Sequence, residues 1–170
     1  MNKFIKAGIA GLFLSLTAAL ASCGGSSSST ADTAAVTADV YPVTVGDLTL
    51  EAQPTRIISL SPSATEMLYA IGAGSQVVAV DEYSDFPAEA VALGTKLSGF
   101  EPNIEAISGY TPDLVIISYD PGSLVEQLGT LNIPVFIAGA AMSLENAYEQ
   151  IEQLGVITGH SQAAIKVTKT

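Results

Sequence analysis

Four short, mostly apolar runs limit what this chain can become: "RIISL" at 56–60, "QVVAV" at 76–80, "TPDLVIIS" at 111–118 and "IPVFIAG" at 133–139. A strand with one wet face alternates apolar and polar residues. A strand that stays apolar, and largely β-branched, is covered on both faces. Between these runs the spacing becomes helical. "SATEMLYAIG" places Ala64, Met67, Leu68 and Ile71 together, Leu124, Leu128 and Leu131 form a second stripe, and "SLENAYEQIEQLGVITG" points Leu144, Ala147, Ile151 and Leu154 inward. Buried strands alternating with helices predict an α/β fold, a parallel sheet with helices on both faces. Local signals agree: Ser63 and Glu66 fit a capping box, Gly72 is placed to end that helix, and Asp120-Pro121 reads as an N-cap and first helical residue.

The residues before this pattern belong to something else. Lys3 and Lys6 precede an apolar stretch from Ala7 to Ala21 that is too short and too polar in its sequel for a spanning helix, so 1–22 reads as a secretory signal peptide. Cys23, the single cysteine, follows "LAS" and is similar to a lipobox cysteine, which is acylated and becomes the new N-terminus. Residues 23–53 then read as a lipidated flexible tether, "GGSSSSTADTAAVTADV", followed by a hairpin turning at Gly46-Asp47. Without Lys3 and Lys6, four basic residues face 17 acidic ones, a net charge near −13. That balance argues against nucleic acid and against an electrostatic grip on a membrane.

In a sheet of this kind ligands bind outside the carboxyl ends of the strands, so the loops beginning at Ser61, Asp81 and Ser118 mark the working edge. Ser61 and Ser63 stand at a strand-to-helix turn, where hydrolases place a nucleophile. However, "SLSPSA" lacks a Gly-x-Ser-x-Gly elbow, and the one histidine, His160, is far along the chain. Catalysis is therefore not expected. The scattered acids and one histidine give no metal-ligand spacing, "GAG" at 72–74 follows a helix rather than a strand, and no metal or other cofactor is expected. The aromatic placement is more informative. Tyr83, Phe100 and Tyr119 each lie in or beside a loop at that edge; one alone reads as a loop anchor, while three make a platform for a large planar or apolar ligand.

The segments "RIISLSPSATEMLYAIG", "VVAVDEYSDFP", "NIEAI", "TPDLVII" and "LGTLNIPVF", in this order, closely resemble the N-terminal lobe of class III solute-binding proteins of ABC importers, and "EYSDFP" is similar to the vitamin B12-binding members in particular. The resemblance covers 54–160. It implies a Rossmann-like lobe, one of two joined by a long helix, with cobalamin, a ferric siderophore or haem held in the cleft between them. It implies ligand contacts for Tyr83, Tyr119 and, across a one-residue gap, Phe100, with Ser61-Pro62-Ser63 as the cleft floor. Glu105 of "NIEAI" matches a glutamate that docks on arginines of the permease, and it also suits the first turn of a helix capped by Asn103. The second lobe is absent from this reading, and 161–170 is taken as the cut start of the inter-lobe helix. The expected function is that of an extracytoplasmic, lipid-anchored receptor; the competing expectation is a lone lobe that only docks on a permease, or a fragment that retains no ligand.

Overall fold

The computed structural model describes residues 39–169. The leader and the lipidation cysteine Cys23 lie outside the described residues. Strands β1 (Val43–Val45) and β2 (Leu48–Leu50) form an antiparallel hairpin pairing Val43 with Leu50 and Val45 with Leu48. Gly46 supplies the positive φ, +57°, that so tight a turn requires. The hairpin is tied to the body by Tyr41, whose hydroxyl donates to the Ile157 carbonyl at 2.8 Å. Burial, and secondarily the charge of Asp39, pushes that hydroxyl up to about 12, so it keeps the proton it donates.

The four apolar runs form one parallel sheet. Its strands are β3 (Ile57–Leu60), β4 (Val77–Val80), β5 (Leu114–Ile117) and β6 (Val135–Ile137), in the spatial order β4-β3-β5-β6. Every residue of β3 and β5 is buried, as continuous apolar strands require. Alternation then divides the core in two. Ile57, Leu114 and Ile116 pack on one face with Leu68, Leu154 and Ile157, while Ile58, Leu60, Val115 and Ile117 pack on the other with Ile107, Leu124 and Leu128. The first face is covered by α1 (Pro62–Ala70), α5 (Leu144–Thr158) and α6 (Ser161–Thr168). The second is covered by α3 (Ile104–Gly109) and α4 (Leu124–Gly129). A single turn, α2 (Ala88–Val91), lies in the loop after β4 and carries too few residues to show a period.

Several details differ from the sequence reading. Helix α1 is capped by Ser61, not Ser63: Ser61 is extended and its Oγ accepts from the Ala64 N–H, at 3.4 Å. Pro62 decides this, because its fixed φ and missing N–H suit the first helical position, which leaves Ser63 second and no capping box with Glu66. Gly72, at φ +86°, follows the end of α1 as expected. Asp120-Pro121 opens only a 3₁₀ turn. Gly122 and Ser123 both take positive φ, so α4 starts three residues late, and Asp120 Oδ1 instead accepts from the Val125 N–H at 3.0 Å. Leu131 lies beyond the end of α4 and is exposed, and Leu144 is 68 % exposed on the first turn of α5. The buried part of α5 is its second half, Leu154, Gly155, Ile157 and Thr158.

Asp113 ties the amino ends of two central strands together. Its carboxylate accepts from the Thr55 N–H (2.7 Å), the Thr55 hydroxyl (2.9 Å) and the Arg56 N–H (2.8 Å). Asp113→Ala is expected to lower stability by about 2 kcal/mol, since it strands two backbone donors and a hydroxyl at a half-covered edge. A shift in the urea midpoint with unchanged slope would show it, and no shift would mean water replaces the carboxylate at no cost.

Candidate functional site

The carboxyl ends of β3, β4 and β5 enclose a hollow of about 420 Å³. This is where the chain order of the sheet reverses direction, since β4 lies on one side of β3 and β5 on the other. Leu60 and Pro62 line it from β3, Asp81 and Tyr83 from β4, Gly99 and Phe100 from the next loop, and Ser118 and Tyr119 from β5. The three aromatics expected at this edge do meet. Phe100 is T-shaped to Tyr83, with ring centroids 5.6 Å apart, and tilted by 47° to Tyr119 at 6.3 Å. All three remain open, Tyr83 at 56 %, Phe100 at 62 % and Tyr119 at 45 %. Large rings clustered yet exposed form a preassembled apolar wall.

Backbone contacts hold Phe100 in that cluster. The segment before it runs beside β4 as an isolated parallel bridge between Asp81 and Leu97, with the Glu82 N–H donating to the Leu97 carbonyl at 2.8 Å. The Thr95 hydroxyl reaches both the N–H and the carbonyl of Val80. Ser98 Oγ then turns the chain by accepting from the N–H groups of Phe100 and Glu101. Gly99 makes the close approach possible, because a Cβ there would lie 2.8 Å from the Leu60 carbonyl oxygen.

Ser61 and Ser63 flank Pro62 at the turn expected to form the cleft floor. Ser61 is fully buried, with its Oγ 3.3 Å from that of Ser63 and turned onto the start of α1, and Ser63 is exposed on that helix. Neither lines the hollow; Leu60 and Pro62 do, so the turn builds the floor with hydrocarbon rather than hydroxyls. Nor are the elements of a serine nucleophile brought together. His160 lies beside Gly72, past the far end of α1 from Ser61, and its Nδ1 is 2.9 Å from the Thr158 carbonyl. Among the described residues no group of three or more His, Cys, Asp or Glu is arranged to hold a metal ion.

Sequence reasoning places Asp81 at the start of a working-edge loop but gives it no role in the site. It is only 3 % exposed, it lines the hollow, and it accepts from the Ser84 hydroxyl. The signal in the sequence was slight: one acid directly after an apolar strand. Glu105 is exposed in the first turn of α3, where Asn103 Oδ1 caps the Ala106 N–H at 2.8 Å. Together with Glu126 of α4 it borders a separate open groove of about 710 Å³.

Comparison with known proteins gives a consistent result. The family described as "Periplasmic binding protein" matches residues 57–169. An uncharacterized ABC transporter substrate-binding lipoprotein, YvrC of Bacillus subtilis (strain 168), is 31 % identical over 174 residues, covering 97 % of this chain and 55 % of the relative. The crystal structure of the periplasmic vitamin B12-binding protein BtuF of Vibrio cholerae superposes with a TM-score of 0.61 at 33 % identity, covering 68 % of this chain and 46 % of that one. That of a possible iron-binding (periplasmic solute-binding) protein of Staphylococcus epidermidis ATCC 12228 gives a TM-score of 0.65 at 25 % identity, over 69 % of this chain and 47 % of that one. The chain thus spans about half the length of each of these proteins.

Proposed function

The chain belongs to the periplasmic binding protein family, and from that premise we propose that it is the substrate-binding component of an ABC importer, capturing a corrinoid or an iron chelate outside the cytoplasm. The observation that carries this reading is the wall of Tyr83, Phe100 and Tyr119 over the carboxyl ends of β3, β4 and β5. Apolar ring faces set at an angle suit a broad, flat, partly apolar ligand such as a corrin, a porphyrin or a siderophore complex. Cys23 carries the lipid that holds the receptor at the membrane, and 24–40 is the tether.

Calorimetric titration of the mature lipidated chain, residues 23–170, in detergent with cyanocobalamin, a ferric hydroxamate, a ferric catecholate and haemin tests the proposal. Saturable binding of one of them is the expected result. A cooperatively folded chain that binds none would overturn ligand capture by this chain and leave the two other readings, a lobe that only docks on a permease or a fragment that retains no ligand.

Docking is assigned to Glu105, which is exposed on α3 beside the groove it shares with Glu126. Glu105→Ala is expected to leave ligand affinity within about twofold, since the side chain is not part of the hollow. Uptake of labelled ligand by cells that carry the receptor and its permease should fall about tenfold, as expected for loss of one charge-assisted contact. Full uptake by that variant would remove Glu105 from the docking surface.

A further inference from the structure

The hollow has one buried charge, and nothing so far gives it a role. Asp81 closes β4, and the bridge to Leu97 fixes its backbone. Its Oδ1 is occupied by the Ser84 hydroxyl. Ser84 Oγ packs 2.9 Å from Thr65 Oγ1; Thr65 donates its one hydroxyl proton to Ser59 Oγ at 2.8 Å, and Ser59 donates onward to the Ser61 carbonyl. Asp81 is therefore held by the Ser84 hydroxyl and by its backbone bridge, beside the buried hydroxyls of Thr65 and Ser59.

Oδ2 is in a different situation. None of the hydrogen bonds made by the described residues ends on it, and since Gln76 Oε1 is the one sealed-in side-chain oxygen or nitrogen without a partner among them, Oδ2 reaches the water of the hollow; it lies 3.6 Å from where a Cβ on Gly99 would stand. The rest of the lining is Leu60, Pro62, Gly99, Ser118 and the three rings, and among the described residues no lysine or arginine lines the hollow. A carboxylate oxygen in such a place is a strong acceptor waiting for a donor. An anionic group that displaced the water of the hollow and came against it would meet like charge, with no cation among the lining residues to offset it.

Building on the receptor reading above, we infer that Asp81 is a specificity-determining residue of this wall, selecting a ligand whose edge presents N–H donors and rejecting one whose edge presents carboxylates. Corrinoids fit, because their rings are fringed with primary amides. Haem, with two propionates, does not fit in any pose that turns them toward β4. The discrimination is of the kind that a buried polar group achieves by being left unpaired, or wrongly paired, with the wrong ligand.

The test compares cyanocobalamin with its monocarboxylate derivatives, in which one edge amide has been hydrolysed, on the wild-type mature lipidated chain in detergent. At least one monocarboxylate is expected to bind about tenfold more weakly. In Asp81→Asn, whose amide keeps an acceptor for Ser84 and turns an N–H toward the ligand, that difference is expected to shrink to twofold or less. The wild-type comparison stands even if the variant does not fold. Equal affinity for the amide and for every monocarboxylate in the wild-type chain overturns the inference and leaves the receptor reading intact. A failure of all these ligands to bind, together with haemin and the siderophores, overturns both.

Discussion

Replacing Tyr83 and Tyr119 together by alanine is expected to weaken ligand binding about 100-fold while lowering the melting temperature of the chain by only a few degrees. Both halves follow from the same geometry. The two rings flank Phe100 and are about half exposed, so the folded chain gains little from them beyond the ring-edge contacts. Surface truncations of this kind usually change stability by no more than about 0.5 kcal/mol, with roughly another 1 kcal/mol at stake in a ring pair. A ligand seated on the wall, in contrast, covers the ring faces that water now wets. Aromatic residues at an interface commonly cost more than about 1 kcal/mol each when truncated, and two losses of about 1.4 kcal/mol each correspond to 100-fold in affinity. Titration of wild-type and variant chains with the same ligand, beside thermal melts, separates the two effects. Unchanged affinity would mean that the wall is not the binding surface; a collapsed melt would mean that the rings are loop anchors, as any one of them would be if it stood alone.

How much of this could be read from the chain follows from which interactions are local. Ile57 to Leu60 and Leu114 to Ile117 announce doubly buried strands because nothing in them is suited to water, and once the strands are placed, the loops holding Tyr83, Phe100 and Tyr119 fall at one edge. The cap of α1 was ambiguous because Ser61 and Ser63 both precede a helical run; the proline between them resolves it, as its ring belongs in the first turn. Leu144 failed for a matter of length. A 15-residue helix is about 22 Å long and a four-residue strand about 13 Å, so α5 outruns the sheet and its first turn has nothing to cover. Asp81 failed because burial of an acid cannot be inferred from its neighbours in sequence. Only the return of Leu97 alongside β4 and the row Ser84, Thr65 and Ser59 make that position interior.

The second large effect is expected at Gly155, where Gly155→Val should destabilise the chain by about 3 kcal/mol. Gly155 lies in the buried half of α5, and α6 folds back over it after Gly159, whose φ of +77° makes the reversal. A Cβ on Gly155 would stand 2.5 Å from the Cβ of Ala164, 3.2 Å from the Ser161 Cα and 3.3 Å from the His160 carbonyl oxygen. None of these is the free end of a flexible side chain. The clash cannot be relieved by a rotamer change, and α6 has to lift away, which exposes the fully buried Ala164. Overpacking of this kind costs about 1–3 kcal/mol, and the β-branch of valine places it at the upper end. Gly155→Ala is the sharper probe, because two effects oppose each other. Alanine gains about 1 kcal/mol in helix propensity and loses a similar or larger amount to the same contact, so a small net loss is expected. Ala164→Gly removes the opposing methyl, and in that background Gly155→Ala should become stabilising, with a coupling of about 1 kcal/mol between the two sites. Urea melts of the four proteins in this cycle measure it directly. Additive changes, or a Gly155→Val variant as stable as the parent, would mean that α6 does not rest on α5, and the close seam between them would have to be abandoned.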